Sequence, residues 1–236
     1  MRSNWCSFAT LLLLATYLHI PAQAEPPSSE DVIGEEITVI GRVNQHQLNA
    51  KTLRRIQEAY AKNRHFAPQA PLRFRVEDAS NADVALRLWL SEGDDIVDLP
   101  ISADGTVDFS DMVITKKTKL SSNRAKGLLR LKPEIFSPST SIQARRLGDL
   151  RLECRIMWAI WKDEVPIAIR LAFSWAGEFC ASKRFPVYFD APFALSRVTV
   201  EHEGITKLVP FNRANAYGPP IYDKKVPDKA VVRLYP

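Results

Sequence analysis

The chain has 236 residues, of which 46% are hydrophobic and 25% charged, and a formal net charge of +5. These are ordinary globular values, and they exclude collagen-like, low-complexity and wholly disordered chains. The length suits one or two domains with a real core, and so small a basic surplus does not point to nucleic acid.

The N-terminus reads MRSNWCSFATLLLLATYLHIPAQA. Arg2 supplies a short positive region, Phe8 to Ile20 is apolar, and Ala22-Gln23-Ala24 has the small-x-small form that signal peptidase accepts. The apolar stretch is shorter than the roughly 20 residues that span a bilayer. Residues 1–24 therefore read as a cleaved signal peptide, which places the mature chain in the periplasm or outside the cell. Cys6 precedes the apolar stretch, so it is not the acceptor of a lipoprotein signal. Residues 156–179 come closest to a later membrane span, but Lys162, Asp163 and Glu164 interrupt them, and three charges in lipid cost too much. The mature protein is thus not expected to be integral to a membrane.

Arg2 is the only charged side chain lost with the leader, and Cys6 leaves with it. Cys154 and Cys180 remain, and in an oxidising compartment two cysteines most simply pair. Closing that loop would stabilise the fold by roughly 3.5 kcal/mol in the chain-entropy model. The alternatives are two buried free thiols or half of a zinc site, which would want four ligands at close spacing; no CxxC or HxxxH is present.

Residues 25–34, EPPSSEDVIG, read as a disordered leader. Glu36 to Val43, EITVIGRV, predicts a strand. The segment EEITVIG at 35–41 is similar to the acidic-then-β-branched box by which outer-membrane receptors engage TonB, which works by strand addition. An ordinary first strand has the same composition. Asn49 then caps a helix running to about Arg64, with Leu53, Ile56 and Tyr60 on one face. Arg54, Arg55, Lys62 and Arg64 make its outer side basic, and Pro68 and Pro71 end it.

Residues 72–135 predict β structure. LRFRV at 72–76 alternates, and so does VALRLWL at 84–90, with Val84, Leu86, Leu88 and Leu90 on one face. Asp104-Gly105 signals a hairpin, because that turn needs positive φ. GLLRL at 127–131 is a further strand. Short strands with turn signals between them suggest a small antiparallel sandwich. The pattern resembles the transthyretin-like modules appended to many exported proteins, a likeness of fold that implies no function.

Residues 137–146, SPSTSIQARR, read as a linker. Residues 150–156, LRLECRI, alternate as a strand would, yet Leu147, Leu150, Cys154, Trp158, Trp161 and Val165 form a helical stripe, with Asp149 as a possible cap. The helical reading is adopted from about Glu153 onward. Pro166 suits the first turn of a second helix to Ala176, stopped by Gly177 and apolar except for Arg170 and Ser174. The two helices form an antiparallel hairpin, and a Cys154–Cys180 disulfide would staple its open end. PVYF at 186–189 follows, then a β-hairpin turning near Glu203-Gly204, a Pro-rich tail YGPPIYDKKVPDK extended over the surface, and a last strand, AVVRLY.

The expected fold is α+β. A small antiparallel β-sandwich-like half with one N-terminal helix occupies residues 35–136. A half built on the helical hairpin and β-strands occupies residues 147–236.

Functional motifs are sparse. Residues 92–111 hold Glu92, Asp94, Asp95, Asp98, Asp104, Asp108 and Asp111, without the spacing of a calcium loop. Residues 112–132 hold only basic charges, so neighbouring strands carrying the two runs are expected to neutralise each other. His46, His65 and His202 are far apart, and Thr206 stands where HExxH needs its second histidine. Ser174 lies in FSWAG, not G-x-S-x-G. Trp158, Trp161 and Trp175 suggest a sugar-stacking platform, but on a buried hairpin they read as core. No catalytic residue, metal ligand or cofactor is assigned. The expected function is an exported, non-catalytic envelope protein that binds another protein or a wall or membrane component. The alternatives are a hydrolase with a dispersed site, using His202 and an acidic residue, and a TonB-linked accessory protein.

Overall fold

Asn49 opens the first helix as its position predicts: its side chain accepts the Thr52 N–H at 3.0 Å, satisfying one of the four orphan donors of a helix start. In the computed structural model the described residues are 45–80, 83–125, 127–162, 165–167, 170, 179–183, 186–212 and 215–236. All belong to one compact unit, Gly41–Pro236. The signal peptide, the leader, the strand expected at 36–43 with its TonB-like box, and most of the second helix expected at 166–176 lie outside the described residues.

The first half runs β1 (Gln45–Leu48), α1 (Ala50–Asn63), β2 (Arg73–Asp78), β3 (Leu88–Glu92), β4 (Asp95–Leu99), β5 (Thr106–Asp108), β6 (Lys119–Ala125) and β7 (Leu129–Pro133). These strands form two antiparallel sheets, ordered β1-β6-β3-β4 and β5-β2-β7. Leu53, Ile56 and Tyr60 of α1 are buried, as their spacing predicts. They share a core with Phe74, Leu88, Val107, Leu120 and Leu129 from both sheets. That core is built of helices as well as sheets, which a sandwich is not.

Two local expectations need correction. Gly105 does turn with φ +76°, but the flanking strands do not form a hairpin: β4 pairs with β3, and β5 with β2. The chain changes sheets there, because Val107 joins the buried core while Ile96 and Val97 stay exposed. The hairpin lies one turn earlier, where Gly93 at φ +63° joins β3 to β4. Strand β3 also starts later than the alternation suggests, leaving Val84 exposed.

The second half runs β8 (Ala144–Arg146), α2 (Leu147–Trp161), β9 (Phe189–Asp190), β10 (Arg197–His202), β11 (Ile205–Leu208), β12 (Ala216–Tyr217) and β13 (Val231–Tyr235). An antiparallel sheet ordered β11-β10-β13-β8 and a β9–β12 ribbon result. The β10–β11 hairpin turns at Glu203 and Gly204, both at positive φ, as predicted. So is the last strand, which lies between β10 and β8.

Helix α2 is buried on two faces. Leu147, Leu150, Cys154 and Met157 pack with Val198, Val200, Val232 and Leu234, while Leu152 and Ile156 enter the first core. Burial on both sides erases the amphipathic period, which is why 150–156 also looked strand-like. The helix accordingly starts at Leu147 rather than near Glu153, with Arg146 as its N-cap residue. Asp149 is not the cap. Its carboxylate accepts the Ser137 N–H at 3.0 Å and hydroxyl at 2.6 Å, so the supposed linker is tied down at Ser137 and carries β8.

The structure joins Cys154 to Cys180 with a Cα separation of 6.0 Å, tying α2 to a 3-10 turn, Phe179–Ala181. The Pro-rich tail is held rather than draped. Arg151 of α2 donates to the carbonyls of Ile221 (2.9 Å), Asp223 (2.7 Å) and Val226 (2.8 Å), and it pairs with Asp228. No helix among the described residues is long and apolar enough to cross a membrane.

Candidate functional site

Strand β7 stands at one edge of its sheet. Its ladder with β2 is bracketed by Ala79 N–H donating to Leu128 C=O at 2.8 Å and Glu134 N–H donating to Arg73 C=O at 2.9 Å. Antiparallel pairs alternate between bonded and non-bonded residues. The main-chain groups of Arg130 and Lys132 therefore bond β2, while those of Leu129 and Leu131 point away from it. No described strand pairs with β7 on that side.

A groove of about 470 Å³ runs beside β7. Its apolar lining includes Phe74, Leu129, Leu131, Met157, Ile160 and Trp161, and Trp161 is 50% exposed. Trp161 was expected in the core; the helix ends there, and its last turn faces the groove instead. Trp158 is half-buried and stacked on Phe179 at 5.1 Å, and Trp175 lies outside the described residues.

Lys132, Pro133 and Asp190 line the groove and also a smaller cavity of about 220 Å³. Three ion pairs line this cavity, with Glu77 beside them. Lys132 Nζ donates to Asp190 at 2.8 Å. Arg75 grips Glu134 with two bonds of 2.9 and 2.7 Å. Arg145, on β8, donates from Nη2 to Glu153 Oε2 on α2 at 2.5 Å and to the Ile135 carbonyl at 2.9 Å. Its guanidinium lies 4.6 Å from the Phe136 ring centroid.

Burial works to lower the Arg145 pKa, but the Glu153 carboxylate and Tyr217 more than offset it, so the cation is held. Burial pushes the Tyr217 hydroxyl up, against the opposing effect of Arg145. Tyr217 therefore remains a neutral phenol. Such a wall presents fixed ion pairs and a hydroxyl, which suits orienting a ligand's polar groups.

Between α1 and α2 lies a third opening, about 610 Å³, lined in part by Lys62, Lys162, Arg155, Trp158 and Phe179.

The histidines lie in separate elements: His46 in β1, His65 tilted against Phe66 in the 3-10 turn after α1, and His202 at the end of β10. His202 Nε2 is 3.4 Å from Glu203 Oε1, at the hairpin. No group of His, Cys, Asp or Glu among the described residues could hold a metal ion. Among the described residues no ion pair joins the acidic run to the basic run, and acidic β4 and basic β6 flank β3 on opposite sides. Asp98 pairs instead with Arg87 at 2.9 Å, and Arg124 with Asp78 at 2.7 Å. No family model matches the chain, and no curated protein or solved structure matches it either.

Proposed function

We propose that the chain is an exported, non-catalytic protein of the cell envelope, periplasmic or secreted, that binds another protein or an envelope component through the groove beside β7. One observation carries this reading: Trp161 is half exposed at the end of a helix that is otherwise deeply buried, and it faces an apolar trough. A concave, mostly apolar opening with a few polar groups at its rim is the usual form of a binding site, and tryptophan is among the residues most enriched where binding energy concentrates. The signal-like leader and the joined cysteines support export.

The test is capture from native envelope extract with the oxidised protein and its Trp161→Asp variant. A component retained by the parent and lost by the variant is the expected result. Equal retention by both would remove the groove from the proposal. Fractionation of the source cells tests export: the expected species is leader-free and outside the cytoplasm, and an uncut cytosolic chain would overturn it.

A further inference from the structure

The edge of β7 presents hydrogen-bonding backbone as well as an apolar wall. The N–H and C=O groups of Leu129 and Leu131 and the carbonyl of Pro133 point away from β2, on the side where no described strand pairs; Leu129 and Pro133 are buried where they line the groove, and Leu131 is the half-buried rung between them. We infer that the groove takes an extended, acidic segment of a partner protein, added as a strand beside β7. This rests on the binding reading above and names its chemistry.

Three features favour this occupant. An extended peptide meets the outward main-chain groups of Leu131, which a compact ligand would leave unmatched, and strand addition draws its affinity from such bonds. Alternate side chains of such a strand would meet Met157, Ile160 and Trp161, which line the trough. The remaining side chains would lie beside Arg130 and Lys132, which share the other face of β7. Opposite charges across a strand pair are favourable and like charges unfavourable.

Charge also argues against a second copy of this chain: two β7 edges would set Arg130 and Lys132 against their own kind. Cationic edges commonly deter such self-pairing, and the same cations admit an acidic strand. Glu77 stands opposite Arg130 in β2, and Asp190 bonds Lys132. Selection by sign is therefore a few-fold per residue, not absolute. Pro133 has no N–H, so the added ladder ends there, and the occupant is short.

The experiment measures amide hydrogen exchange and Trp161 fluorescence in the oxidised mature protein. The probe is a capped peptide of about six residues, an ordinary strand length, alternating valine and glutamate. It is expected to slow exchange at Leu131 by about tenfold, the effect of one net hydrogen bond. It should also shift the emission that Trp161→Phe removes. The lysine-for-glutamate peptide should bind several-fold more weakly, and the double variant Arg130→Glu, Lys132→Glu should reverse that order. A Trp161 shift with unchanged exchange at Leu131 would refute strand addition and leave a binding groove. No response to either peptide, with Trp161-dependent envelope capture intact, would also refute it. Loss of the capture as well would refute the functional reading itself.

Discussion

Arg145 and Glu153 meet at 2.5 Å with only 6% and 2% of their side chains exposed. The pair links β8 to α2, and Glu153 also accepts the Ile135 N–H at 3.3 Å. One charge left without the other would be buried and uncompensated. Glu153→Ala or Arg145→Ala is thus expected to cost about 3–5 kcal/mol. Replacing both by well-packed apolar residues should recover most of that loss. Denaturant unfolding of the two single variants and the double variant measures it, and a double variant no more stable than either single would contradict the account.

Gly148 lies in the first turn of α2, where a Cβ would stand 2.2 Å from the Phe66 carbonyl oxygen and 2.9 Å from Asp228 Cβ. The first of these is backbone and has nowhere to go, and the Gly148 N–H already donates to the Asp228 carbonyl at 3.0 Å. Gly148→Ala is expected to destabilise by about 1–3 kcal/mol or more, as overpacking does, despite alanine's better helix propensity. A thermal midpoint unchanged or raised would show that the backbone at Phe66 and the tail at Asp228 both yield.

Stability is expected to fall at both ends of the pH range, by two named groups. At Asp78, burial works to raise the pKa, but hydrogen bonds from Ser80 and Arg124 outweigh it and hold the carboxyl below its ordinary value. Its contribution is complete above the unfolded pKa of about 3.9 and is lost as pH falls through the lowered folded value. Burial raises the Tyr217 pKa. Its contribution is complete below the unfolded pKa of about 10 and is lost as pH rises through the raised folded value. Unfolding midpoints across pH should show a shallower acid limb for Asp78→Asn and a shallower alkaline limb for Tyr217→Phe.

The link between Cys154 and Cys180 closes the chain across a separation of 26 residues. Replacing both by alanine is expected to lower stability by about 3–4 kcal/mol. Mass spectrometry of unreduced peptides should recover the cross-linked pair, and free thiols at both positions would remove the link.

Several elements were readable from a few neighbouring residues. The Asn49 cap, the Leu53-Ile56-Tyr60 face, the turn at Glu203-Gly204 and the last strand each depend on local geometry or on one solvent-facing side. Strand β6 was not readable in this way. Its sequence, KLSSNRA, has no apolar alternation, yet it lies inside a sheet with Ser121, Ser122 and Arg124 buried. Partners distant in the chain make that tolerable, such as Asp78 for Arg124.

By itself the sequence determined the α+β class with antiparallel strands, the first helix and its cap, and the turns at Gly105 and Gly204. Only the tertiary structure decided where the strands beside Gly105 pair, where α2 begins, that Trp161 faces a groove, and that β7 is an edge. The reason is physical. Propensity, capping and turn geometry act over a few residues, whereas strand order and the burial of a polar side chain depend on which distant segment arrives to satisfy it.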